Sequence, residues 1–357
     1  MEHNLRARPV RALTTDDNEA RAPSMTAENR SAPHDHARSD LTPEIETQAG
    51  PLAETSTIDS HRSGYVAVVG KPNVGKSTLV NALVGRKVAI TSPKPQTTRR
   101  RILGILTRPN AQALFVDTPG IHIPKQALNA YMMREVELAL SDCDAILFVV
   151  DVSRPPDEDD QRVIERIRPV SAPKFMALNK ADLMDAADGP DNVKRFLGLF
   201  GDENNAVFTS GVKIKQENLD ELLEKIVAVL PAGPQYFPPD QYTDQPERML
   251  AAELIREQAL RFLEQEVPHA VAVAINEYTM RPNKTLYLAA TIYVERESHK
   301  GILIGKGGQM LKRIGSEARR EIERELGHKV FLELWVKVRE HWRRDERYVE
   351  RLVSALE

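Results

Sequence analysis

The segment Gly70-Lys-Pro-Asn-Val-Gly-Lys-Ser77 has the residue types and spacing Gly-x4-Gly-Lys-Ser and directly follows the apolar run Tyr65 to Val69. A strand feeding such a loop, with the helix-forming residues from Thr78 to Val84 behind it, makes a phosphate site. Gly70 and Gly75 let the backbone curl so that successive N–H groups face one anion, and the helix N-terminus adds positive potential. Lys76 reaches the outer phosphates, Ser77 is placed to hold Mg2+, and Thr78 completes the loop. Two later segments supply matching chemistry. Leu114-Phe-Val-Asp117-Thr-Pro-Gly120 ends an apolar strand in a carboxylate suited to Mg2+, and in a glycine whose N–H suits a terminal phosphate. Lys76 and Gly120 are thereby the first candidates for catalysis on that phosphate. Ala177-Leu-Asn179-Lys180-Ala-Asp182 delivers a second polar set. The Asp182 carboxylate can accept from N1–H and the 2-amino group of guanine, a pair of donors that adenine lacks, so this residue selects GTP over ATP. The stem of Lys180 can cover the base, and Asn179 ties loops together.

Positioning these residues requires an α/β fold. Strand-like runs near 65–69, 112–116, 144–150, 174–178 and 206–208 alternate with helical stretches near 76–84, 126–141, 158–168, 191–200 and 217–230. Such alternation predicts a doubly wound, mostly parallel sheet covered on both faces, with the functional residues at its carboxyl edge. The run Arg101 to Leu106 has no helix between it and the strand ending at Asp117, which predicts an antiparallel neighbour. The domain spans residues 63–232, and Pro231-Ala-Gly-Pro234 and Pro238-Pro239 mark a proline-stiffened linker over 233–245.

In their order these motifs resemble the translation-factor-related class of GTPase domains. The resemblance implies three further roles. Thr98, in the polar stretch Ile90 to Arg101, corresponds to the first-switch threonine that joins Mg2+ only when the γ-phosphate is present, so it belongs with Lys76 and Gly120 as catalytic and with Ser77 and Asp117 as metal-binding. Ser210 and Gly211 correspond to a Ser-Ala pair whose backbone reads the guanine carbonyl, with Gly211 a departure that softens the loop. Relatives with an asparagine at the place of Asn73 bind K+ beside the phosphates, and slow basal turnover is expected. Ile121 stands where Ras-like enzymes carry a water-orienting glutamine, and an isoleucine cannot hydrogen-bond to water.

Composition bounds the remainder. The 357 residues carry a net charge of −3 with 28% charged and 41% hydrophobic side chains, an ordinary globular profile with room for two domains. Residues 1–62 read as a disordered acidic tail: the first 60 hold 11 acidic against 6 basic residues and no aromatic. The acids exclude an organelle transit peptide. One cysteine, Cys143, excludes an internal disulfide and a thiolate zinc cluster. No run approaches 18 apolar residues, so cytoplasmic residence is the expectation.

Residues 246–357 form a second unit. A helix from Pro246 to Glu264 precedes strand-like runs Ala270 to Glu277 and Thr285 to Glu295, then two helices meeting at Gly305-Lys-Gly-Gly308, then a strand Lys329 to Val338. This order resembles an α+β type II KH domain, in which the Gly-x-x-Gly loop clamps the backbone of unpaired nucleotides. The resemblance assigns Ile304, Gly305, Lys306, Gly307, Gly308 and Lys312 to RNA, with Arg313 close by. Residues 298–357 carry 14 Lys and Arg against 10 Asp and Glu, although the interleaved acids make a solvated face the role of most of these charges. The two halves together, with the junction Tyr236 to Asp244 and the run Leu334-Trp-Val-Lys-Val-Arg339, closely resemble the Era family of bacterial ribosome-assembly GTPases over residues 63–352. That resemblance implies binding of the single-stranded 3′ end of 16S ribosomal RNA and a role in maturing the small ribosomal subunit. With no heptad and no obvious self-pairing edge in the sequence, a monomer is the expectation. The amphipathic stretch Trp342 to Leu356 is expected to pack on its domain, the alternative being peripheral contact with the inner membrane face.

Overall fold

The computed structural model describes residues 61–124, 126–210 and 216–354. Gly211 and all but the last two positions of the acidic tail lie outside the described residues.

Six strands form the first sheet in the order β2-β3-β1-β4-β5-β6: β1 (Arg62–Val69), β2 (Ile102–Arg108), β3 (Ala111–Asp117), β4 (Ala145–Asp151), β5 (Lys174–Asn179) and β6 (Ala206–Phe208). All neighbours are parallel except β2 and β3, which turn back on each other with Arg108 opposite Ala111, as the missing helix predicts. β3 and β4 are buried along their whole lengths, the condition of strands covered on both faces. On β1, Val66 and Val68 enter one core with α1 (Lys76–Val84) and α5 (Gln216–Val229). Ala67 and Val69 enter the other, with α2 (Ala127–Ser141), α3 (Glu158–Ile167) and α4 (Gly189–Phe200). Because β1 lies between β3 and β4, the chain leaves it in opposite directions and opens a crevice beyond its carboxyl end, where residues 70–77 stand.

The linker is not a free tether. Gln112, wholly buried in β3, accepts the Tyr236 and Phe237 N–H groups at 2.8 and 3.0 Å and donates to the Phe237 carbonyl at 2.9 Å. Further on, Ile105 N–H donates to the Tyr242 carbonyl at 2.9 Å, and Thr243 Oγ1 donates to the Leu103 carbonyl at 2.7 Å. The strap therefore satisfies the open edge of β2, which would otherwise present unpaired amides.

The second unit has α6 (Glu247–Phe262), β7 (Ala272–Met280), β8 (Thr285–Val294), α7 (Glu297–Ile304), α8 (Gln309–Leu326) and β9 (Lys329–Val338). Its sheet is ordered β7-β8-β9, with β7 antiparallel and β9 parallel to β8. Ile314, Ala318 and Ile322, four residues apart, put one stripe of α8 into the core with Leu286, Leu288 and Ile292. Ala270, expected to open the first strand, closes a tight turn at Pro268–Ala270, and β7 starts at Ala272. The C-terminal stretch also departs from the expected single helix. A tight turn at Trp342–Arg344 gives way to α9 (Glu346–Val349), restarted by the Asp345 side chain, which accepts the Arg347 and Tyr348 N–H groups at 3.0 and 3.4 Å. It packs, as expected, but against the first unit as well. Trp342 is wholly buried, donates Nε1–H to the Ala270 carbonyl at 2.9 Å, and joins Val349 and Val353 in the core that holds Leu128, Met132 and Val136 of α2. Among the described residues no helix is long and apolar enough to cross a membrane.

Candidate functional site

Residues 70–77 curl between β1 and α1, and the curl is sterically specified. A Cβ on Gly75, at φ 98°, would lie 2.4 Å from Asn179 Nδ2, and one on Gly120 would lie 2.7 Å from the Pro72 backbone. The first would displace the buried, hydrogen-bonded Asn179 amide and the second would run into backbone, so a side chain is blocked at both positions. Lys76 is 6% exposed and donates Nζ–H to the Gly70 and Lys71 carbonyls at 3.2 and 3.0 Å. Burial brings its pKa down to about 8, with the Asp117 carboxylate pulling the other way. Asn73 stands exposed on the same loop at φ 65°. Thr78 and Gly120 line the same cleft.

Ser77, Thr98 and Asp117 converge although they come from a helix, a loop and a strand. Ser77 Oγ donates to Asp117 Oδ2 at 2.6 Å and lies 2.8 Å from Thr98 Oγ1, which in turn is 3.3 Å from Asp117 Oδ2. Burial pushes the Asp117 carboxyl up to about 6 against the pull of Ser77, Lys76 and Thr98. Its Oδ1 is buried with no partner. An orphaned carboxylate oxygen beside two hydroxyls is a hard, all-oxygen donor set and fits Mg2+, which takes one or two protein oxygens and completes its shell with phosphate and water. Among the described residues no cluster of three His, Cys, Asp or Glu could hold a metal by itself.

The base side is built from β5 and β6. Asn179, 1% exposed, donates to the Val74 carbonyl at 2.7 Å and accepts from Thr209 Oγ1 at 3.2 Å, so it ties the phosphate loop to both strands. Asp182 is exposed, and its Oδ1 accepts from Ser210 Oγ at 2.6 Å. Lys180, at φ 61°, pairs with Asp151 Oδ2 at 2.6 Å. Burial opposes ionisation of Asp151, but the bonds from Lys180 and Ser153 outweigh it and hold the carboxyl below the ordinary range. Asp151 and Ser153 escaped the sequence reading, and Thr209, read there only as the start of the segment Thr209-Ser210-Gly211, turns out to bond Asn179. The signal available was an Asp-x-Ser at the end of an apolar strand, alongside the one ending in Asn179. Ile121 is 4% exposed and packs in the core with Leu128 and Met132.

The stretch between α1 and β2 is held by the second unit. Glu257 of α6 accepts the Thr91 N–H at 2.9 Å and pairs with Lys87 Nζ at 2.6 Å. Arg256 donates to the Thr97 carbonyl, and Arg99 donates to the Val271 and His269 carbonyls at 2.6 and 3.1 Å. Thr98 thus sits between two residues fastened across the interface.

In the second unit α7 ends at Ile304 and the loop runs through Gly305, Gly307 and Gly308 at φ 71°, 60° and 77°, values that favour glycine at all three. α8 begins at Gln309, so its positive end faces the loop. Lys306 and Lys312 are exposed and Ile304 is half-buried. Arg313, grouped with them by sequence, instead lies 4.2 Å above the Phe262 ring on α6.

A nucleoside-triphosphate crevice on a doubly wound sheet, followed by two helices joined at Gly-x-x-Gly on a mixed three-stranded sheet, defines a P-loop GTPase domain joined to a KH domain. Residues 65–180 match the family model described as a 50S ribosome-binding GTPase, and residues 266–343 match a KH domain. The chain is 45% identical over 297 residues to GTPase Era of Alkaliphilus metalliredigens, covering 82% of this chain and 99% of that protein. It is 46% identical over 302 residues to GTPase Era of Caldanaerobacter subterraneus, covering 84% and 99%. Among solved structures, a variant of Aquifex aeolicus Era bound to GDP and AlF4− superposes with a TM-score of 0.77 at 42% identity, over 82% of this chain and 98% of that one. Era in complex with MgGDPNP and nucleotides 1506–1542 of 16S ribosomal RNA gives the same values. The chain belongs to the Era GTPase family.

Proposed function

We propose that this chain is a GTP-hydrolysing switch whose KH domain binds the single-stranded 3′ end of 16S ribosomal RNA and assists assembly of the small ribosomal subunit. The observation that carries the proposal is the position of Thr98. It meets Ser77 and Asp117 while the residues around it are hydrogen-bonded to α6 and the start of β7. Nucleotide state and KH placement are thereby coupled through one short segment.

The roles follow from the chemistry. The N–H groups of residues 70–78 and the Lys76 ammonium hold the phosphates, and Asp182 with the backbone at Ser210 and Gly211 reads guanine. Ser77, Thr98 and Asp117 would hold Mg2+, which neutralises charge on the β- and γ-phosphate oxygens. Thr98 joins that set in the triphosphate state, the N–H of Gly120 contacts the γ-phosphate, and loss of that phosphate frees residues 91–100. Ile121 is spent in the core, so the help that hydrolysis needs must come from another group. We assign it to a K+ ion held with the help of Asn73, whose position on the rim of the phosphate loop supports that reading. Gly305 to Gly308 and the cations Lys306 and Lys312 clamp the RNA backbone, and Ile304 borders the groove for bases. We take residues 63–232, 233–245 and 246–357 as GTPase domain, strap and KH domain. The C-terminal segment acts in packing rather than at a membrane, since Trp342, Val349 and Val353 are buried, and we expect a cytoplasmic monomer.

Sequencing RNA crosslinked to the purified protein with a GTP analogue tests the proposal. Reads should pile up at the 3′ end of 16S RNA, and a spread over unrelated RNAs would remove the assignment. Hydrolysis should run faster in potassium than in sodium, a difference that Asn73→Ala abolishes.

A further inference from the structure

We infer that a single monatomic anion, chloride, binds in the guanidinium cluster buried between the Thr98 segment and the KH domain. Arg99 and Arg256 are 4% and 2% exposed, and with Arg100 and Glu253 they line a cavity of about 20 Å3 whose walls also include Val273 and Val353. Positive charge there is in excess. Glu253 is spent on Arg256, which reaches it through Nε and Nη2 at 2.9 and 2.5 Å. Arg99 donates to the neutral carbonyls of Val271 and His269 and lies 5.6 Å from the centre of the Trp342 ring, none of which carries a negative charge, and Arg100 donates to the neutral Gln245 Oε1 at 2.8 Å. Three guanidinium ions therefore share one carboxylate around the cavity. Of the nearby carboxylates, Glu257 is engaged by Lys87 and Glu295 by Arg343, while Asp244 lies close to Arg100 and Arg101 but not on the cavity wall.

The hydrogen-bond account points the same way. Arg99 Nε and Arg256 Nη1 are buried donors with no partner. A guanidinium does not lose its proton at neutral pH, so neutralisation is not an escape. A buried, unpaired cation is among the costliest arrangements in a protein interior. A water molecule could accept from the free donors but would leave the charge. A halide ion answers both. The cavity has room for one particle of about that size, which excludes sulfate, phosphate and carboxylates. Arg99 follows Thr98 in the chain and Arg256 holds the Thr97 carbonyl, so the anion binds the docked arrangement of this segment and stabilises it by linkage.

The test uses the full chain with GDPNP and Mg2+. Crystals soaked in sodium bromide, with data collected at the bromine edge, should show an anomalous peak in contact with Arg99 Nε and Arg256 Nη1. In solution, exchanging potassium glutamate for potassium chloride of equal ionic strength should shift the thermal midpoint of the wild-type protein upward by roughly 2–4 °C relative to the same exchange in Arg256→Gln, a comparison that cancels the general stabilisation by the excluded glutamate anion. Arg256→Gln should lose that chloride-specific increment. Water density without an anomalous peak, or the same salt response in the wild-type protein and a folded Arg256→Gln variant, overturns the inference. Should Arg256→Gln fail to fold, the bromide map of the wild-type protein decides alone.

Discussion

Replacing Glu257 by alanine removes both carboxylate oxygens that α6 offers to the stretch between α1 and β2. Oε1 accepts the Thr91 N–H at 2.9 Å, and Oε2 pairs with Lys87 Nζ at 2.6 Å. The carboxylate is only 8% exposed, so salt screens the contact weakly. A hydrogen bond to a charged group contributes about 1.5–3 kcal/mol. Losing the Lys87 pair adds little, because Lys87 keeps Glu321 at 3.4 Å. We therefore expect docking of the segment on the KH domain to weaken by about 2 kcal/mol, roughly 30-fold. Glu257→Gln keeps an acceptor for Thr91 and should cost about 1 kcal/mol, roughly fivefold. The assay is RNA affinity of the full chain, measured by fluorescence anisotropy with GDPNP and Mg2+ and again with GDP. The ratio of the two affinities should fall in the order wild type, Gln, Ala, towards unity, while affinity in GDP stays constant. If both variants remained folded and kept the wild-type ratio, the coupling would run by some route other than α6.

Three further outcomes follow from the site. Asp182→Asn should weaken GTP binding by about 2–3 kcal/mol, since an amide can accept from only one of the two guanine donors, and xanthosine triphosphate should bind the variant better than GTP does. Burial raises the Asp117 carboxyl to about 6, so below that pH a proton must leave before the metal enters. Mg2+ affinity should then be level above pH 6 and fall by up to tenfold per unit below it, and a flat profile between pH 5 and 7 in a fluorescent-nucleotide titration would contradict the stated burial effect. Gly307→Asp, at φ 60° on an exposed loop with open space around it, should abolish RNA binding through strain and charge. GTP affinity should be unchanged by filter binding, and loss of both would mean that the loop supports the whole fold.

Much of this architecture is local and therefore legible. Gly70 to Ser77, Asp117 to Gly120 and Asn179 to Asp182 each sit at the end of an apolar run that announces a strand, and their elements appear within a few residues of the expected positions. Ser77 and Asp117 were readable as one metal site from their motifs, but that Thr98 joins them was readable only through likeness to a family, because Thr98 lies on an irregular segment with no periodicity of its own. The interface was not readable at all. Arg256 and Glu257 are 2% and 6% exposed, yet on a helix rich in charges they look like a solvated face. Only the chain folding back over more than 150 residues brings them to Thr97 and Thr91. The strap shows the same limit: Gln112 inside an apolar strand looks misplaced until Tyr236 and Phe237 arrive to use it. Trp342 misled in the opposite sense, since an amphipathic stretch reveals that it packs but not on which neighbour.

In the proposed switch the triphosphate decides whether the KH loop holds RNA. Isothermal titration of the full chain with a single-stranded oligonucleotide of the 16S 3′ end, in GDPNP with Mg2+ and again in GDP, measures it directly. Binding should be tighter in the GDPNP state, with the RNA in turn tightening GDPNP by the same factor, as linkage requires. Equal affinities in the two nucleotide states would contradict the account, however well each site worked on its own.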